Sequence, residues 1–283
     1  MEHKKHKKID ISALMEKKAA GEKISMLTAY DYPTGRILDM AGVDSVLVGD
    51  SAANVVLGYP NTIPVSMDEM IMLTKAVSRA MKYSFLIGDM PFLSYNVSIH
   101  DSIQNAGRFL KEAGVQAVKL EGGTSSVETL DAMTKAGIPV VGHLGLTPQT
   151  ANQLGGHRVQ GKVAEAAKKI YRDALLLESA GAIMIVVECI PDRLAELLSK
   201  SVKVPIIGIG SGSHCDGQVL VLHDMLGYHE FKPRFVKRYA EMERDILQAV
   251  AQYSDDVRSS AFPGQEHSFQ MDDAEYEKLL KSI

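Results

Sequence analysis

A parallel (β/α)8 TIM barrel is the fold this sequence predicts, and two observations carry it. Eight strand-like runs, most of them continuously apolar, alternate with helical stretches along 283 residues. Continuous apolar runs mark strands buried on both faces of a parallel sheet, and their alternation with helices argues for βα units. The length agrees, since roughly 250 residues is typical of such a barrel. A doubly wound open sheet is the alternative, but it usually carries a Gly-rich fingerprint after its first strand. Here the first strand runs into Thr28-Ala-Tyr-Asp-Tyr-Pro instead. With no short repeat and no clear linker, residues 1–283 read as one barrel domain with a basic arm (1–10) and a polar tail (254–283).

Taken in order, Ser12–Ala20 is a short helix stopped by Gly21, and Lys23–Tyr30 is the first strand. Thr34–Ala41 is a helix ended by Gly42, and Ser45–Gly49 is the second strand. Ser51–Pro64 has no convincing period and reads as a long loop at a strand end, where active-site loops belong. Ser66-Met-Asp-Glu is a capping box that opens the helix Met67–Met81. Strand Phe85–Gly88, helix Ser98–Ala113, strand Ala117–Leu120, helix Ser126–Ala136 and strand Ile138–Gly142 follow. Leu144–Gly161 is a second long loop, then come helix Val163–Ala180 and strand Ala182–Val187. Helix Asp192–Ser199 precedes strand Val204–Ile209, and Gln218–His223 is the candidate eighth strand. Arg234–Tyr253 is a closing helix, with one more short helix near Ala274–Lys281.

Five of the apolar runs release a polar group at the C-terminal end: Asp50, Asp89, Glu121, His143 and Glu188. In a barrel those ends open on one face, which holds the active site. Four carboxylates in one mouth resist ionising together, and a divalent cation removes that conflict. All-oxygen donors favour Mg²⁺ or Mn²⁺ over Zn²⁺. The plain alternative is that each acid caps the helix after it. Lys119 lies two residues before Glu121, so both share a strand face, and a buried lysine needs anionic partners. A Schiff-base role for Lys119 is a further alternative. His143 reads either as an orienting group or as a structural histidine. Gly208-Ile-Gly-Ser-Gly reads as a turn or a phosphate loop.

Composition narrows the function classes. A formal charge of -4 gives no reason to expect nucleic acid as a partner. No window approaches the ~18 consecutive apolar residues of a membrane span. The basic start, Glu2-His-Lys-Lys-His-Lys-Lys, lacks a following apolar core, so the expected compartment is the cytoplasm. Cys189 and Cys215 form no CxxC pair and read as reduced thiols rather than a disulfide framework.

The motifs Thr28-Ala-Tyr-Asp-Tyr-Pro-Thr, Val48-Gly-Asp-Ser, Val56-Leu-Gly-Tyr, Gly88-Asp-Met-Pro-Phe, Val118-Lys-Leu-Glu-Gly-Gly, Gly142-His-Leu-Gly-Leu-Thr-Pro-Gln, Gln153-Leu-Gly-Gly and Cys215-Asp-Gly-Gln-Val-Leu-Val occur in order between about Ile11 and Phe269. Together they resemble the ketopantoate hydroxymethyltransferase family. The resemblance implies a barrel of the phosphoenolpyruvate/pyruvate type. It implies a Mg²⁺-dependent enzyme of pantothenate synthesis, which moves a one-carbon unit from 5,10-methylenetetrahydrofolate to 3-methyl-2-oxobutanoate through a Mg-stabilised enolate and gives 2-dehydropantoate. It implies Asp50, Asp89 and Glu121 as the metal site, with Asp50, Ser51, Asp89 and Lys119 as 2-oxoacid contacts. Glu188 is implied as the proton acceptor, and a decameric homo-oligomer as the assembly. A Mg²⁺-dependent C–C lyase or mutase of the isocitrate lyase superfamily is the alternative, and a non-catalytic binding barrel is a second. Three departures stand out: Ala52-Ala-Asn where the family more often has Leu-Gly-Met, Leu93 where it has Gly, and Ser211-Gly-Ser-His for an Ala-Gly-Pro-type run.

Overall fold

The computed structural model describes residues 7–230 and 232–283. Two compact units emerge. The first spans the chain to Met225 together with Lys232–Lys237, and the second holds Leu226–Phe231 and Arg238–Ile283.

Within the first unit the elements run α1 (Ile11–Ala20), β1 (Ile24–Thr28), α2 (Tyr32–Ala41), β2 (Ser45–Val48), α3 (Ala52–Val55), α4 (Met67–Ser78), β3 (Phe85–Asp89), α5 (Ile99–Ala113), β4 (Ala117–Glu121), α6 (Val127–Lys135), β5 (Val140–Gly145), α7 (Ala164–Ser179), β6 (Met184–Glu188), α8 (Asp192–Ser201), β7 (Ile206–Ile209), β8 (Gly217–Leu220) and α9 (Leu222–Leu226). The strands close in sequence order into a parallel barrel, with β8 returning to β1. The expected capping box is present at Ser66 and Glu69. Gly21, Gly42 and Gly114 end their helices in the left-handed conformation, where glycine lacks the steric cost of a Cβ.

Along each strand alternate residues face inward. The interior toward the N-terminal end is apolar: Met26, Leu47, Phe85, Ile87, Ala117, Val141, Met184, Val186, Ile207 and Val219 form one buried cluster. Leu14 of α1 joins this cluster and closes the barrel from below. Fully burying a side chain of this size contributes roughly 1.5–3 kcal/mol. Lys18, also on α1, donates to the carbonyls of Ser199 and Val204 and to Asp216 Oδ2, tying α1 to the β7–β8 region.

Several boundaries differ from expectation. The loop after β2 begins with α3. β5 runs to Gly145, so His143 lies inside a strand rather than just past one. β8 ends at Leu220, because α9 starts at Leu222 with its N–H bonded to Thr28 Oγ1. Of the basic arm, residues 1–6 lie outside the described residues. Ile9 donates to the Tyr83 carbonyl at 2.7 Å and Asp10 caps α1, so the end of the expected arm is tied down.

The second unit contains α10 (Met242–Arg258) and α11 (Asp273–Ser282), neither with a buried residue. The closing helix starts at Met242, not Arg234. Arg238 is spent on the carbonyls of His229 and Glu230, and residues 234–241 hold one turn, at Arg234–Phe235, and otherwise irregular chain.

Candidate active site

Asp50, Asp89, Glu121, His143, Lys119 and Glu188 meet at the C-terminal mouth of the barrel. Strand register explains the neighbours. Asp89 pairs with Lys119 across β3–β4, and Glu121 with His143 across β4–β5. Lys119 Nζ lies 2.9 Å from Asp89 Oδ1 and 3.4 Å from His143 Nδ1. The other contacts of His143 are Nδ1 to Glu121 Oε1 and Nε2 to Glu188 Oε2, each 3.3 Å. Asp50 stands one residue past Gly49 and donates its backbone N–H to Asp89 Oδ2 at 2.9 Å. Ser51 Oγ shares a 2.8 Å hydrogen bond with the Tyr30 hydroxyl. Every residue proposed for the site therefore falls on one barrel face, and Asp50, Asp89, Lys119 and Glu121 are buried there.

The capping alternative fails for all four acids. The N-caps of the following helices are Ser51, Ser98, Ser126 and Pro191, not Asp50, Asp89, Glu121 or Glu188. The Gly208–Gly212 segment is a turn. Gly210 and Gly212 have positive φ, Ser211 Oγ donates to the carbonyl of Val187, and a Cβ on Gly212 would meet Asp192. An acid at that position opposes phosphate. Both cysteines are free, and burial pushes each thiol up to about 11.

Electrostatics follow from crowding in a dry site. Burial pushes the Asp89 carboxyl up to about 7 against the pull of Lys119, with Asp50 adding to the rise. Glu121 is raised as well, first by burial. Burial pulls Lys119 down, but Asp89, Asp50 and Glu121 outweigh it and hold the ammonium above its ordinary range. That is the opposite of a lysine prepared for Schiff-base chemistry, which needs a free amine. Burial and Lys119 pull His143 down, yet Glu121 and Glu188 raise it to about 9.

Two residues outside the expected set organise these acids. Gln149, buried in the turn Pro148–Thr150, donates Nε2 to Asp50 Oδ2 at 2.9 Å and to the Met90 carbonyl at 3.0 Å. Its backbone N–H donates to Glu121 Oε2 at 3.1 Å. The Tyr95 hydroxyl donates to Gln149 Oε1 at 2.7 Å and accepts from the Glu121 N–H at 3.3 Å. Both come from loops, which carry no periodicity to flag them. The available signal was Gln149 itself, a long amide directly after Thr-Pro beyond the strand that carries His143.

The donor set suits a hard divalent cation. Asp89 Oδ1 and Glu121 Oε1 are buried with no hydrogen-bond partner, although Lys119 and His143 stand near them. Buried acceptors of that kind are rare without a reason. Among the described residues no three His, Cys, Asp or Glu side chains converge as a ready ligand set. Mg²⁺ is usually held by one or two carboxylates, with water or substrate completing its shell, and these residues fit that pattern.

Comparisons with known proteins agree with the motifs. The family model described as ketopantoate hydroxymethyltransferase matches residues 8–265. A 3-methyl-2-oxobutanoate hydroxymethyltransferase of Acetivibrio thermocellus is 53% identical over 275 residues, covering 97% of both chains. The protein of the same name from Clostridium botulinum (strain 657) is 51% identical over 270 residues, covering 95% of this chain and 98% of its own. Solved structures share the fold. A phosphonopyruvate hydrolase in complex with oxalate and Mg²⁺ superposes with a TM-score of 0.58 at 14% identity over 97% of this chain and 98% of its own. A 2,3-dimethylmalate lyase of the PEP mutase/isocitrate lyase superfamily gives 0.58 at 14% identity over 96% and 95%. The barrel, the acids at its mouth and this sequence identity agree: the chain belongs to the ketopantoate hydroxymethyltransferase family.

Proposed function

We propose that this chain transfers a hydroxymethyl group from 5,10-methylenetetrahydrofolate to 3-methyl-2-oxobutanoate, giving 2-dehydropantoate for pantothenate synthesis. The observation that carries it is the division of labour among the acids. Asp50, Asp89 and Glu121 are buried, whereas the Glu188 side chain is 16% exposed and touches the cluster through His143. One carboxylate is thus set apart, open to a substrate proton.

Asp50, Asp89 and Glu121 would hold Mg²⁺. The ion would supply Lewis acidity for the 2-oxoacid, offsetting the charge that develops as C3 loses its proton. Lys119 offsets negative charge beneath the substrate carboxylate, and Ser51, held by Tyr30, orients it. Glu188 accepts the C3 proton, a step worth roughly 10²- to 10⁴-fold when the base is within hydrogen-bond reach. His143 holds Glu188 in place through Nε2. Water adds to the folate methylene carbon and both of its carbon–nitrogen bonds break. The two nitrogens take up the water's hydrogens, and the carbon leaves at the formaldehyde level. The electron pair left at C3 forms the new bond to that carbon, and its oxygen, now an alkoxide, takes up a proton to become the hydroxyl.

Product analysis separates this reading from cleavage of a 2-oxoacid. With Mg²⁺ and 3-methyl-2-oxobutanoate, 2-dehydropantoate should form only when methylenetetrahydrofolate is added. Cleavage products formed without the folate would overturn the reading.

A further inference from the structure

We propose that Gln149, locked by Tyr95, is the positioning residue that sets the aim of two metal-facing carboxylates, Asp50 and Glu121. The inference rests on the Mg²⁺ reading above. It starts from how fully Gln149 is used. An amide side chain has two N–H donors and a carbonyl acceptor. Both donors are engaged, one by Asp50 Oδ2 and one by the Met90 carbonyl, and Oε1 receives the Tyr95 hydroxyl. The Met90 carbonyl only accepts, so the NH₂ end must face it, and the amide has one permitted orientation. Asp50 therefore always meets a donor.

The contacts also close a ring. The Glu121 N–H donates to the Tyr95 hydroxyl, that hydroxyl donates to Gln149 Oε1, and the Gln149 N–H returns to Glu121 Oε2. Gln149 and Tyr95 are each 2% exposed, so water does not compete for these bonds. The consequence is directional. Glu121 has Oε2 pinned by the Gln149 backbone N–H, while Oε1 makes no hydrogen bond and faces His143 Nδ1 at 3.3 Å, and Asp50 has Oδ2 pinned by the Gln149 side chain. Pinning one oxygen of each carboxylate presents the other. The two acids lie on different segments, after β2 and at the end of β4, and Gln149 bridges them, its side chain to Asp50 and its backbone N–H to Glu121. Hydrogen bonds behind a metal ligand commonly govern affinity by 10- to 100-fold.

The test is Mg²⁺ titration by calorimetry on the full chain, comparing wild type, Gln149→Leu, Tyr95→Phe and the double variant, beside steady-state kinetics. Leu fills a similar volume, removes the three side-chain contacts and keeps the backbone N–H to Glu121. Phe keeps the ring and removes one hydroxyl. We expect the Mg²⁺ Kd to rise about 10- to 100-fold in Gln149→Leu and by less in Tyr95→Phe. The double variant should match Gln149→Leu, because both act through one ring. The Mg²⁺ concentration needed for half-maximal rate should rise in parallel, while metal-free Tm moves by only a few degrees. Wild-type Mg²⁺ affinity in both single variants overturns the inference alone. Failure of the wild type itself to bind Mg²⁺ overturns the metal reading and this inference with it.

Discussion

The two halves of the barrel interior are built on the same strands and obey opposite rules. On β3 the inward residues are Phe85, Ile87 and then Asp89. On β4 they are Ala117, Lys119 and Glu121, and on β6 Met184, Val186 and Glu188. Below, contacts are non-directional and any well-packed apolar side chain serves. Above, every charged group except Glu188 is buried, and the cost is met only by particular neighbours: Lys119 by Asp89, Asp50 by Gln149, His143 by Glu121 and Glu188. Rigid packing below holds strand ends in register, and register sets which charge meets which. The lesson is that the floor specifies the fold while the mouth draws on that rigidity to keep like charges together.

The sharpest way to break this contrast is to remove one charge from the mouth. Lys119→Met should cost about 3–5 kcal/mol, because Asp89 is left buried beside Asp50 without its cation. Adding Asp89→Leu to that variant should recover much of the loss, and urea unfolding of both decides it. On the floor, Ile87→Ala should cost about 2–5 kcal/mol through the cavity it leaves. That loss should leave Mg²⁺ affinity near wild type by calorimetry, whereas mouth variants change it.

Titration sharpens the contrast in the metal-free protein. Asp89 is raised from 3.8 to about 7 and His143 from 6.5 to about 9. A raised folded value means that the folded state binds the proton more tightly. The stability each group adds is therefore present below its unfolded value and lost as pH rises through its folded one. Metal-free stability should fall between about pH 4 and 9, and Asp89→Asn should flatten the lower half of that range. Mg²⁺ requires ionised carboxylates, so its stabilisation should grow over the same interval. Thermal melts across pH, with and without Mg²⁺, give both slopes.

The smallest expected effect concerns the rim. Leu93 is held at φ 61° in the loop after β3 and is exposed. A left-handed non-glycine residue costs about 1–2 kcal/mol, and glycine gives back about 0.5–1 kcal/mol in extra chain entropy. Leu93→Gly should therefore stabilise by up to about 1.5 kcal/mol in urea unfolding. The departure noted at this position is a strained one.

Legibility in the sequence follows the same division. Floor strands are readable because a parallel strand buried on both faces is apolar throughout; Asp89 and Glu188 stand out as the first polar residues after such runs, and Glu121 ends a run that Lys119 alone interrupts. β8 was harder, since Gly217-Gln-Val-Leu is short and Gln218 faces solvent. The helix expected from Arg234 was misplaced because its apolar pattern matches no buried face. Gln149, Tyr95 and Tyr30 escaped because loop residues are brought to the mouth by tertiary contacts. Their roles consist of hydrogen bonds to groups dozens of residues away, for which local spacing holds no signal.

The central claim is that the mouth keeps one acid, Glu188, apart from the buried set to take the substrate proton. Following deuterium entry at C3 of 3-methyl-2-oxobutanoate in D₂O tests it most directly. Glu188→Gln should lower C3 exchange by at least about 100-fold while leaving Mg²⁺ binding intact. Exchange at the wild-type rate in Glu188→Gln would contradict it.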